Sequence, residues 1–302
     1  MPVPSLPPLP PRSATEIVDG AVQLVRPHFG YFLRIATVGA IPALVQAVIT
    51  LLIFPTMPTD PVALLRQQAS LLPLTLLTYA LTTMQSGAII IGALAVLRGD
   101  PLPSVWTAFT SALRRLFSLL GANLLLAVML VIVMIPVIAA AVFVAVTSTT
   151  TVGSLLPTGT GVAIAAFVGS AAALLLLFFA FLTIFARSAI MTSLVIAEGL
   201  GPIQSLRRAH ALSSGSYLRL AQTYGLVFVI LIVIYGVLAG VAIAFQGQQQ
   251  LVQALLSVIL IPVIPIIGSI MLLTYADLRV RREGADLDAA LDAMAPMAAS
   301  AS

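Results

Sequence analysis

LPLTLLTYALTTMQSGAIIIGALAVLR, residues 72–98, is the stretch that decides how this chain folds. Its first 26 residues hold no Asp, Glu, His, Lys or Arg, and its last is Arg98. A helix needs about 20 predominantly apolar residues to cross a hydrocarbon core about 30 Å thick. A first cation placed directly after such a run marks the point where the chain re-enters the headgroups. Working outward, runs of the same kind occupy roughly 31–54, 117–147, 161–187, 217–245 and 251–275. With 72–97 they predict six transmembrane helices. The composition agrees: 60% of the 302 residues are hydrophobic and 8% are charged, too few charges to cover the surface of a water-soluble globule. The expected fold class is therefore all-α, a polytopic membrane helix bundle.

The arginines orient it. There is no lysine, and of the 14 arginines all but Arg66 fall in alternate gaps. Arg12, Arg26 and Arg34 precede or open the first run, and Arg98, Arg114 and Arg115 lie between the second and third. Arg187, Arg207, Arg208 and Arg219 lie between the fourth and fifth, and Arg279, Arg281 and Arg282 follow the sixth. Cationic loops stay on the cytoplasmic side of a membrane, so both termini are expected in the cytoplasm, with the protein in a bacterial inner membrane. The net charge of +4 is spread along one membrane face without the interleaved aromatics of a nucleic-acid surface. Anionic lipid headgroups are the expected partner, with a protein partner or a second copy of the chain also considered and nucleic acid not expected. The lack of cysteine removes disulfides and thiol chemistry.

Between the runs, shorter patterns recur. Residues 1–12 carry six prolines and read as a disordered tail. Residues 13–283 form the transmembrane domain, and 284–302 are an Ala-rich cytoplasmic tail. Ser13 and Glu16 have capping-box spacing, followed by Ile17, Ala21 and Val25 at helical intervals. Ser104 opens a comparable stretch with Val105, Phe109 and Leu113, and Gly201-Pro202 opens a third with Ile203 and Leu206. Each reads as an interfacial amphipathic helix leading into a span. Gly30-Tyr31-Phe32-Leu33-Arg34 aligns with Gly215-Ser216-Tyr217-Leu218-Arg219, so the chain reads as three repeats of surface helix plus transmembrane hairpin.

Inside the runs, ionisable groups are missing from the centres, which disfavours proton or ion relays. Gln46, Gln85 and Asn123 are the amides at depth, and they serve either as bonds between helices or as the lining of a polar path. Pro42, Pro136, Pro262 and Pro265 either kink their helices or mark broken helices of the kind that form transporter sites. Gly236 and Gly240 form a GxxxG pair, a helix-packing signal.

No catalytic or metal-binding set and no cofactor is expected. Without lysine there is no P-loop or Schiff base, His28 and His210 lie outside the spans, and neither HExxH nor GxSxG occurs. The charged text is concentrated in two segments. One runs from Glu198 through Gly199-Leu200-Gly201-Pro202 to Arg207 and Arg208; the other holds Tyr275, Asp277, Arg279, Arg281 and Glu283. Glu198, Arg207, Arg208, Asp277, Arg279 and Arg281 are the candidate site, either as an ion-pair network that docks the surface helices or as a site for headgroup phosphate.

These segments, Glu-Gly-Leu-Gly-Pro to Leu-Arg-Arg at 198–208, Gly215 with Tyr217, and Tyr-x-Asp-Leu-Arg-x-Arg-x-Glu-Gly at 275–284, resemble bacterial integral membrane proteins related to the membrane domain of glycerophosphoryl diester phosphodiesterase. The resemblance covers Ser13 to about Leu291. It departs after the arginine pair, where the family often continues with Ser-Trp and a further basic residue and this chain has Ala209-His210. The resemblance implies the membrane half without the soluble catalytic barrel, and hence no enzyme. The expected function is a scaffold or accessory subunit engaging lipids or a partner at the cytoplasmic face. The alternatives are a transporter of a lipid-like or neutral amphiphilic solute, and an anchor for a separately encoded hydrolase.

Overall fold

The computed structural model describes residues 12–53, 60–152, 181–182, 184–186, 189–244 and 258–284. No strand occurs among them, and nearly all are helical. Helix α1 (Ala14–Val25) starts where Ser13 and Glu16 close a reciprocal cap: the Glu16 N–H donates to Ser13 Oγ at 3.3 Å, and the Ser13 N–H donates to the Glu16 carboxylate at 2.5 Å. A 3-10 turn at Arg26–His28 carries the chain directly into α2 (Phe29–Ile53).

Helix α3 (Pro61–Arg98) is capped by Asp60, whose carboxylate accepts from the Val62 and Ala63 N–H groups, and ends on Gly99 at φ +73°. Helix α4 (Val105–Leu113) begins at Ser104, whose hydroxyl accepts from the Thr107 N–H at 3.1 Å. Two residues later α5 (Leu116–Val152) follows. Then come α6 (Met191–Ala197), α7 (Pro202–Ser213) and α8 (Tyr217–Ala244). A 3-10 turn at Ile261–Val263 leads into α9 (Ile264–Glu283).

Five segments are long and apolar enough to cross a membrane: Ala14–Ile53, Leu65–Arg98, Leu116–Pro136, Tyr217–Leu238 and Ile261–Glu283. This is a multi-pass membrane protein. The run 161–187, Arg187 included, lies for the most part outside the described residues. So do both tails, apart from Arg12 and Gly284.

The helix of the closing run continues beyond its apolar stretch. Its described part extends from Ile261 to Glu283 rather than stopping at 275, because Asp277, Arg279 and Arg281 continue the helix as its last two turns, up to Gly284 at φ +61°. Pro262 lies in the preceding 3-10 turn and Pro265 in the first turn of α9, where a missing N–H costs no helical hydrogen bond. Pro42 lies inside α2 and Pro136 inside α5.

Helices α2 and α3 run antiparallel in close register. Tyr31 lies against Gly92, Gln85 against Gly39, and Gln46 bonds Thr75, so numbers fall on α3 as they rise on α2. Helix α9 fills the centre. Twelve of its residues are buried, and it packs against α1, α2, α3, α6 and α7. Helix α1 lays Ile17, Ala21 and Val25 inward, with Ile17 and Ala21 on Val227 of α8 and Ile270 and Leu273 of α9. Its docking on two long helices is what brings Arg12 to the site described next.

The glycines redraw one expectation. A Cβ on Gly39 would lie 2.4 Å from Gln85 Cβ, and one on Gly268 would lie 2.7 Å from Ile89 Cγ2, so close packing is built at these positions. Gly236 and Gly240 meet nothing within 4 Å among the described residues. Gly215 has φ +83° where α7 gives way to α8, whereas its sequence counterpart Gly30 is helical, because α1 continues through its 3-10 turn without a stop.

Candidate functional site

The two charged segments meet at one end of the bundle and engage each other. Glu198 sits at the C-terminus of α6 with its side chain 5% exposed. One carboxylate oxygen accepts from the Tyr275 hydroxyl at 2.8 Å and the other from Arg208 Nε at 3.1 Å. Arg208 also reaches Glu283 at 2.5 Å, and Glu283 is held by Arg279 at 3.2 Å, one turn before it on α9. Burial penalises the charge on Arg208, but the two carboxylates outweigh that penalty and hold its pKa above the ordinary arginine value.

Backbone geometry sets this up. Gly199 has φ +72°, and the Arg115 guanidinium lies where its Cβ would be, 2.7 Å away, while Arg115 donates to the Val195 carbonyl at 3.4 Å. Only glycine meets both demands. Pro202 then opens α7 with its ring against Gly121 of α5. The turn from Glu198 to Pro202 thus aims Arg208 back at Glu198.

The second node is Asp277, with its side chain 3% exposed. Arg281 Nε spans both its oxygens at 3.1 and 3.0 Å, and Arg219 Nε of α8 faces it at 3.6 Å. The Arg12 N–H donates to Asp277 at 2.7 Å, and the Arg12 carbonyl accepts from both Arg219 and Arg281. The main chain entering α1 is therefore gripped at donor and acceptor by side chains from the last two long helices. Arg12, counted with the tail in the sequence, is fixed because its backbone groups find charged partners as α1 docks.

Of the six expected residues, five lie in these two nodes. Arg207 does not: it is exposed and forms no ion pair among the described residues. Arg12, Arg219, Tyr275, Glu283 and Arg115 complete the arrangement without having been named as site residues. The i,i+4 spacing of Asp277 with Arg281 and of Arg279 with Glu283 was a readable signal for part of it. Nothing local in the sequence pairs Tyr275 with Glu198.

The amides at depth each bond a neighbouring helix. Gln46 donates to Thr75 Oγ1 at 3.0 Å, Gln85 to the Ala36 carbonyl at 2.7 Å, and Asn123 to Thr83 Oγ1 at 3.3 Å. A cavity of about 320 Å³ lies between α2, α3, α8 and the start of α9, bounded by Ala43, Leu44, Gln85, Tyr235 and Ile264. Gln85 borders it, and Gln46 and Asn123 do not. Among the described residues, no three of His, Asp and Glu come together as metal ligands would.

Compared with family models, with characterised proteins and with solved structures, the chain matches none.

Proposed function

We propose that the chain is a non-enzymatic scaffold or accessory subunit of a bacterial inner membrane. In this reading it has six spans, three surface-helix-plus-hairpin modules and both termini in the cytoplasm, and its arginine-bearing end engages anionic lipid headgroups. One observation carries this. Glu198, Asp277 and Glu283 at that end are engaged by Arg208, Arg219, Arg279 and Arg281, while Arg26, Arg34, Arg114 and Arg207 are exposed and make no ion pair among the described residues. Paired arginines hold the helices; unpaired ones form a cationic rim at a depth where phosphates lie, each contributing about 1 kcal/mol of attraction to an anionic leaflet. The resemblance to the membrane half of a phosphodiesterase fits this reading and rests on the two motif segments.

Replacing Arg26, Arg34, Arg114 and Arg207 together by Gln is expected to lower retention of phosphatidylglycerol in native mass spectrometry while leaving thermal unfolding in detergent near the parent value. Unchanged retention would remove the headgroup reading.

A second reading, transport of a lipid-like solute, is favoured by the cavity. Its walls are chiefly apolar, and α9 is preceded by a helical interruption at Leu260–Val263. Vesicles containing the parent protein are then expected to move a fluorescent phospholipid between leaflets, and Ala43→Phe to slow that movement by filling the cavity. Movement no faster than in protein-free vesicles would end the transport reading.

A further inference from the structure

The only tryptophan of the chain stands 77% exposed on α4, and it is not isolated. Trp106, Leu113, Phe117, Leu124, Val128 and Ile135 follow one another at intervals of seven, four, seven, four and seven residues, and every one is exposed, Phe117 to 88%. Within α4 (Trp106, Leu113) and within α5 (Phe117, Leu124, Val128, Ile135) such intervals keep side chains on one face at about 3.6 residues per turn. The chain turns from α4 into α5 through Arg114 and Arg115, and the Leu119 N–H makes the first bond of the new helix. Arg114 has φ −59° and ψ −21°, the Arg115 N–H reaches the Ala112 carbonyl at 3.0 Å, and the Leu119 N–H reaches the Arg115 carbonyl at 2.9 Å.

We infer that α4 is immersed in the leaflet at the arginine-bearing end, with Trp106 and Phe117 in the interfacial layer, and that lipid rather than a protein covers this face. Three observations select the occupant. Two residues after α4, α5 begins with Phe117 exposed and carries exposed Leu124, Val128 and Ile135, and it belongs to a segment long and apolar enough to cross the membrane. The members of the row are large, whereas close approach of a second helix in a membrane uses small residues. Exposed Arg114 lies beside the row, where a guanidinium reaches phosphate while tryptophan occupies the headgroup boundary. Arg115 points the opposite way, onto Val195 and Gly199. The inference rests on reading this end as the lipid-engaging face, and it adds which element sinks into that leaflet.

Because there is one tryptophan, the unmodified protein reports on itself. In phosphatidylcholine vesicles with and without phosphatidylglycerol, Trp106 emission is expected to be quenched about twofold more by a nitroxide lipid labelled near the headgroup than by one labelled near the chain terminus, with iodide having little effect. Free quenching by iodide would place α4 in water, and protection from iodide and both lipids alike would mean that a protein covers the row. Stronger quenching by the deep label would place Trp106 within the hydrocarbon core. Each of these three outcomes overturns the inference. Quenching by the shallow label irrespective of phosphatidylglycerol supports it even if anionic lipid retention proves unaffected by the arginine replacements.

Discussion

Asp277→Ala is expected to destabilise the bundle by about 2–4 kcal/mol, read as a lowered midpoint of thermal unfolding in mild detergent. The carboxylate is almost wholly buried, and it alone accepts from the Arg12 N–H while facing Arg219 and Arg281. Removing one partner of a fully buried pair costs about 3–5 kcal/mol, and the lower figure here reflects the two arginines, whose side chains keep 29% and 31% of their surface exposed. Asp277→Asn is expected to recover part of the loss, since an amide oxygen still accepts from Arg12. Adding Arg281→Ala to Asp277→Ala should cost less than the sum of the two single changes, because the second removes a charge that the first orphans. Unfolding of Asp277→Ala at the parent temperature would show that water replaces the carboxylate and that the node holds nothing together.

The second large effect belongs to Gly39. Its missing side chain is filled by Cβ, Cγ and Cδ of Gln85, each within 2.5 Å of where a Cβ would stand. Gln85 cannot swing aside cheaply, since it is 3% exposed and its amide is bonded to the Ala36 carbonyl. Gly39→Ala is expected to cost about 1–3 kcal/mol through overpacking, and Gly39→Val more. The contrast is Gly236→Ala and Gly240→Ala, where nothing among the described residues opposes the helix-propensity gain of roughly 0.5–1 kcal/mol. Circular dichroism melts of the four variants decide the matter. Parent-like stability for Gly39→Val would mean that α2 and α3 are not in the close register described.

Both predictions fall where the sequence was only partly legible. The long helices were readable because an apolar run of bilayer length has one physical meaning whatever its neighbours do. The ends were harder: Asp277, Arg279 and Arg281 lie past the last apolar run, yet the helix continues through them to Glu283, because polarity marks where lipid stops and not where hydrogen bonding stops. Glu198 and Asp277 stood out as carboxylates among arginines, but the choice of partner depends on chain direction in space. Arg208 turned toward Glu198 and Arg207 did not, since one residue is about 100° of helix. Arg219 counted only as an orientation marker until α8 packed beside α1. Gly39 gave no motif at all, and its meaning came from Gln85, 46 positions later.

Helix α9 has a bearing on how the protein is made. It is the last long helix in the described chain, it is buried on most sides, and Asp277 in its penultimate turn grips the residue that begins α1. Synthesis therefore delivers α9 after every other helix described. Until Tyr275 and Asp277 emerge, Glu198 lacks its phenol donor, Arg219 its carboxylate and Arg12 its acceptor, and α1 lacks Ile270 and Leu273 to pack on. A nascent chain halted short of that point holds charged groups and apolar faces open at the membrane surface, a form that insertion and proteolytic machinery can tell from the finished one.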